Sequence, residues 1–191
     1  MCIRDSSGTA AGFGVVVVAD IDGNIICLNQ QNGDVNWTIN VKNEVLAPAA
    51  ISARYVIVKT SAGELVGLNK TTGELVWSYR SQNPTLTVRG SSEPIIYEDQ
   101  VFATFDNGRL GVFQLDTGFT LWDGAISYTE GTTELENLID ADSPPVVDGR
   151  LVYANNYQGN INIFQMSDSK HSQRRKRREH CSLSRWMSHG Q

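Results

Sequence analysis

Apolar residues in this chain come in short runs bounded by polar turns. Val15–Ala19, Tyr55–Lys59 and Val101–Phe105 are three such runs, rich in β-branched and aromatic side chains. Runs of this length and composition predict β-strands. None approaches the roughly 18 apolar residues of a membrane-spanning helix. Each run is followed by a glycine turn: Asp22-Gly23, Ala62-Gly63 and Asn107-Gly108. Glycine supplies the positive φ that a tight hairpin requires. A further strand of about six residues follows each turn, a typical strand length. A second glycine turn then leads into a strand that carries tryptophan.

The intervals repeat. Gly23, Gly63 and Gly108 are each followed 10 residues later by Gly33, Gly73 and Gly118, and 4 residues after those by Trp37, Trp77 and Trp122. With an earlier strand at Leu46–Ile51 and at Glu93–Ile96, each unit becomes a four-stranded antiparallel meander. The units are 40 residues (Trp37 to Trp77) and 45 residues (Trp77 to Trp122) apart. That is the period and strand count of a β-propeller blade. A blade cannot cover both faces of its sheet alone, so blades stack. A large ring at a fixed strand position fills the space between them, the structural role expected for Trp37, Trp77 and Trp122. A fourth unit begins at Pro144-Pro145-Val146 and continues to Ile163-Phe164. Where its second glycine and its tryptophan are due stand Ser169 and Gln173. The expected fold is all-β, a propeller fragment of about four four-stranded blades over residues 12–165.

Both ends look foreign to this repeat. Residues 1–11 read as a stray leader and 166–191 as an out-of-frame, disordered tail. The charge shifts at the same place: Lys and Arg number 9 against 19 Asp and Glu up to Gln165, then 7 against 2. A basic run such as Arg174-Arg175-Lys176-Arg177-Arg178 can serve as a nucleic-acid arm. The halt in mid-blade favours the out-of-frame reading, and the acidic body argues against nucleic acid.

Chemistry is sparse in the body. Its histidines number none, since His171, His180 and His189 all lie in the tail. This removes Ser-His-Asp and Cys-His nucleophiles from the segment and leaves no plausible zinc ligands. Cys27 stands alone in a strand and reads as a small core residue. Glu134, Glu136, Asp140 and Asp142 form an acidic run that reads as a solvated or partner-facing loop. No catalytic residue, metal site or cofactor is expected. Function then falls to loops on a rigid scaffold. One is Asn83–Gly90, where Leu86 and Val88 share a side by period two and Arg89 is adjacent. The other is the long acidic loop Ser127–Ser143. An apolar pair beside an arginine makes a protein-binding anchor. An inner strand pointing Leu86 and Val88 into the core fits the same residues, and the spacing alone leaves both open.

The Thr-Gly-x-x-x-Trp punctuation resembles the quinoprotein-type propellers. Within them, Thr85–Pro94, Asp106–Arg109, Gly131–Glu136 and Asp140–Val147 resemble the BamB family of outer-membrane assembly lipoproteins. These stretches are specific because they lie in loops, where blade packing does not dictate the residues. The resemblance covers roughly Gly12 to Phe164. It implies a ring of eight blades and a non-enzymatic scaffold on the periplasmic face of a Gram-negative outer membrane. It implies a lipid anchor, whose cysteine is missing here and is not Cys2, because the chain starts inside the family sequence. It also implies binding to the periplasmic domains of BamA, with nascent outer-membrane proteins as further partners. The family's contact residues map onto Leu86, Val88, Arg89, Asp140 and Asp142, with Val88 in place of the usual leucine. The alternatives are a quinone-cofactor dehydrogenase propeller, whose adjacent cysteines are absent from the body, and a periplasmic propeller with another protein partner.

Overall fold

The computed structural model describes residues 7–81, 92–126, 143–155 and 161–166, with backbone alone at 7 and at 174–176. These residues form four sheets of four strands. The first contains β1 (Ser7–Gly12), β2 (Val15–Ala19), β3 (Asn24–Asn29) and β4 (Val35–Asn40). The second contains β5 (Ala50–Ile51), β6 (Tyr55–Lys59), β7 (Glu64–Asn69) and β8 (Leu75–Arg80). The third contains β9 (Ile95–Tyr97), β10 (Gln100–Phe105), β11 (Arg109–Gln114) and β12 (Thr120–Ala125). The fourth contains β13 (Val146–Asp148), β14 (Leu151–Asn155), β15 (Ile161–Gln165) and β16 (Arg174–Lys176). Within each sheet the strands lie in chain order and pair antiparallel. This is the expected blade. The first strands of the first three blades lie side by side, with β5 against both β1 and β9.

Local chemistry explains the repeat. Gly23, Gly63 and Gly108 all have positive φ, and each donates its amide to the carbonyl three residues back. The second turns are equally alike. Gly33, Gly73 and Gly118 also have positive φ, and each donates to the carbonyl four residues earlier at 2.8–2.9 Å. One irregularity is shared as well. The pairing of third and fourth strands slips between Cys27 and Leu28, between Gly67 and Leu68, and between Val112 and Phe113. The slip inserts an extra residue, Asn36, Val76 or Leu121, immediately before the tryptophan. Such a bulge bends the strand and re-aims the next side chain.

The core lies between sheets. Alternate residues of blade two face opposite neighbours, as period two requires. Val56, Val58, Val66 and Leu68 pack on Val15, Val17, Ile25 and Trp37 of blade one. Ile57, Leu65 and Trp77 pack on Val101, Ala103, Phe105 and Phe113 of blade three. Phe102, Leu110 and Val112 then meet Val152, Ala154 and Phe164 of blade four.

Three expectations shift. The first strands of blades two and three, expected at Leu46–Ile51 and Glu93–Ile96, are the shorter Ala50–Ile51 and Ile95–Tyr97. Pro48 and Pro94 lie just before them, and proline has no amide to donate to a ladder. The expected boundary of the propeller body at residue 12 moves to residue 7, because β1 pairs along β2 from Ser7↔Ala19 to Gly12↔Val15. The segment read as a disordered tail contributes β16, which pairs Arg174–Lys176 with Asn162–Phe164. Backbone pairing needs only an extended chain beside an open strand edge, whatever side chains that chain carries.

Candidate partner-binding site

Loops between blades are the places where this fold leaves room for function. The connection from β4 to β5 takes 9 residues, that from β8 to β9 takes 14, and that from β12 to β13 takes 20. Nine residues suffice to cross from an outer to an inner strand, so the two later connections carry excess chain. All three leave the outer strand identically. Val41, Ser81 and Ile126 donate their amides to the carbonyls of Gly23, Gly63 and Gly108 at 2.8–2.9 Å. Leu86, Val88 and Arg89 fall in 82–91, and Asp140 and Asp142 fall in 127–142. Both segments lie outside the described residues, so these five residues have no described geometry.

The roots of the two long connections are described, and they are polar and buried. Before the first, Ser81 is buried and its Oγ accepts from Asn107 Nδ2 at 2.9 Å. After it, Ser92 is buried and accepts from Lys59 Nζ at 2.6 Å. Ser92 Oγ donates in turn to the Thr104 carbonyl at 3.1 Å. Lys59 Nζ also lies 3.8 Å from Asp106 Oδ1, with both side chains at most 4% exposed. It stands 5.9 Å from the centre of the Phe105 ring, within cation–π range. At the second connection, Ile126 O accepts from Asn162 Nδ2 at 2.5 Å, and Ser143 O accepts from Thr104 Oγ1 at 3.2 Å. Sequence reasoning missed Lys59, Ser92 and Thr104. The available signal was a lysine closing the otherwise apolar strand β6.

The tryptophans stand where stacking requires them. The Trp37 ring covers Gly73 of the next blade, and its indole Nε1 donates to the Lys70 carbonyl at 2.8 Å. Trp77 repeats this on Gly118, donating to Leu115 O at 2.9 Å. A Cβ on Gly118 would sit 2.5 Å from the Trp77 ring, so the glycine makes the approach possible. Trp122 meets Phe164 instead, with ring centres 5.5 Å apart.

Burial pushes the Cys27 thiol up against the smaller opposing effects of Asn36 and Lys70, which suits a structural rather than a reactive cysteine. Burial also raises the Glu93 carboxyl, one residue beyond Ser92. Among the described residues, no three His, Cys, Asp or Glu side chains gather as a metal site.

Four-stranded meanders interlocked by a tryptophan on the next blade's glycine define a section of a β-propeller. A model of the outer membrane protein assembly factor BamB matches residues 4–190, a span that takes in most of both ends. The chain belongs to the BamB family of outer membrane protein assembly factors. It is 42% identical to BamB of Xanthomonas campestris pv. campestris over 81% of this chain and 38% of that relative. It is 34% identical to BamB of Legionella pneumophila over 82% of this chain and 51% of that one. The chain thus spans about half or less of the length of these relatives. Among solved structures, BamB from Moraxella catarrhalis superposes with a TM-score of 0.77 at 30% identity, over 84% of this chain and 50% of that one. A quinohemoprotein alcohol dehydrogenase from Pseudomonas putida HK5 superposes with a TM-score of 0.60 at 15% identity, over 83% of this chain and 28% of that one, a likeness of fold alone.

Proposed function

We propose that this chain is part of a non-enzymatic scaffold on the periplasmic face of the outer membrane. It binds the periplasmic domains of BamA and so aids the delivery and insertion of outer-membrane β-barrel proteins. Membership of the BamB family carries this reading. The excess length of the two later connections supports it, since they hold the residues that resemble the family's contacts. Leu86 and Val88 supply the apolar anchor. Arg89, Asp140 and Asp142 supply directional, charge-assisted pairing, which confers specificity and orientation at an interface.

The test is a titration of the BamA periplasmic domains with the wild-type chain and with Arg89→Glu. The expected result is binding weakened at least tenfold, the order of loss when one partner of an interfacial charge pair is reversed, with the melting temperature unchanged. Equal affinity for the two proteins overturns the assignment of Arg89.

A further inference from the structure

Blade stacking leaves two sheet faces over, one at each end of the row. Val56, Val58, Val66 and Leu68 of blade two pack on blade one and are at most 3% exposed. Counted from the first turn glycine of each blade, their counterparts in blade one are Val16, Val18, Ile26 and Leu28. These four belong to none of the three cores among the described residues, and all are partly exposed. At the other end, Phe102, Leu110 and Val112 of blade three pack on blade four and are fully buried. Their counterparts in blade four, counted from Gly159, are Tyr153, Ile161 and Ile163. Ile161 is 43% exposed, and Tyr153 and Ile163 are partly exposed. Blade one thus repeats the face by which a blade meets its predecessor. Blade four repeats the face by which a blade meets its successor. Sheets of this kind bury their apolar faces only against a neighbour, and an open one is a surface for association.

We propose that these two faces are covered by a second copy of this chain, set head to tail, so that two chains close one ring of eight blades. Blade four of each copy stacks on blade one of the other, and a single two-fold axis forms both junctions at once. Three observations favour this occupant. The contact continues one that the molecule already makes three times, blade face on blade face. The two open faces are the two different halves of that contact, so a second copy supplies the missing half at each end. Finally, four blades are half of the eight that the family resemblance implies, and the chain superposes on 50% of BamB from Moraxella catarrhalis with a TM-score of 0.77. Half a ring leaves a gap that a second half fills. A head-to-tail contact closes into a ring when its rotation fits and runs on as a filament when it does not. Gln173 stands where the tryptophan of blade four is due, so the closing junctions rest on apolar strand faces without a ring laid on a glycine. The dimer is therefore expected to dissociate on dilution.

The test weighs the full chain by light scattering over a range of concentrations, as wild type and as the variants Ile26→Glu and Ile163→Lys. Wild type is expected at twice the 21.0 kDa chain mass when concentrated, falling toward that mass on dilution. In either variant alone, both junctions of a closed ring bury one unpaired charge. At roughly tenfold or more per junction, dimerisation is expected to weaken at least a hundredfold. An equal mixture of the two variants is expected to recover the dimer. One of its junctions is then unaltered, and the other brings the introduced carboxylate and ammonium together. Circular dichroism checks that each variant keeps the wild-type fold, with Leu28→Glu or Ile161→Lys replacing one that does not. A wild-type chain that stays at its single mass at every concentration overturns the proposal. So does a dimer that neither substitution weakens, or a mixture that stays monomeric. A dimer broken by Ile26→Glu but not by Ile163→Lys also overturns it, since that is a face-to-face pairing of first blades. Mass that grows beyond two chains overturns the closed ring.

Discussion

The junctions before and after blade three close in different ways. At the earlier one, Trp77 is 7% exposed, lies flat on Gly118 and donates to Leu115 O. At the later one, Trp122 is only partly buried and meets the Phe164 ring at a tilt. The same residue at the same strand position thus does different work, according to what the next blade offers. A tryptophan alone does not lock two blades together. The lock is the ring plus a positive-φ glycine thin enough to lie under it, with a carbonyl placed for the indole proton. Blades two and three each supply that receptor. Ser169 stands where blade four is due to supply it, outside the described residues.

The largest effect should come from removing the locked ring. Trp77→Ala is expected to cost about 3–5 kcal/mol, the range for a buried aromatic cut to alanine. Trp122→Ala should cost about half as much, because part of its ring already faces water. Urea unfolding of both variants measures the difference. Equal losses would show that Trp122 is as firmly seated as Trp77, and the distinction between the junctions would fail.

Next in size is the receptor side. Gly118 and Gly149 both have positive φ, at 67° and 56°, but only Gly118 has a ring against it. Alanine at Gly149 meets nothing within 4 Å and pays only for its backbone conformation, roughly 1 kcal/mol. Alanine at Gly118 pays the same and must also displace Trp77, for a total of about 2–4 kcal/mol. Thermal melts of the two variants should therefore separate. If they coincide, the close approach of ring and glycine is not what holds the junction.

These two junctions also show which part of the fold is legible in sequence. The Gly-to-Gly and Gly-to-Trp intervals reveal the blades, because turn geometry and ring placement each admit few residue types. The bulge before each tryptophan is not visible in that pattern, since an extra residue in a strand changes register without changing composition. Proline trimming of β5 and β9 was readable from Pro48 and Pro94, but apolar runs extending past the prolines masked it. Strand β16 lies in an arginine-rich segment that no strand propensity favours; there the open edge of β15 decides, not the segment. The site divides likewise. Arg89 and the two aspartates stand out as loop residues resembling a family pattern. The Lys59–Ser92–Thr104 chain shows in the sequence only as a lysine closing apolar β6, because residue 59 of blade two meets residues 92 and 104 of blade three only when the two blades stack.

The smallest effect sharpens the contrast from the edge of that polar chain. Glu93 follows Ser92, and burial holds its carboxyl above the ordinary value of 4.5. A carboxyl with a raised folded-state pKa keeps its proton more tightly when folded than when unfolded, so rising pH disfavours the fold. The penalty is absent below the ordinary value. It grows as pH climbs from there through the raised value, and it is constant above that. Glu93→Gln removes the ionisation and keeps a side chain of the same shape. The variant is therefore expected to match wild type near pH 4 and to melt slightly higher at pH 7. The gain is small because Glu93 is only partly buried and water still screens its charge. Melting curves of both proteins across that range measure it. A difference that is independent of pH, or that grows toward acid, would mean that burial does not govern this carboxyl. The polar character of the blade two–three junction would then end at Ser92 rather than extend toward β9.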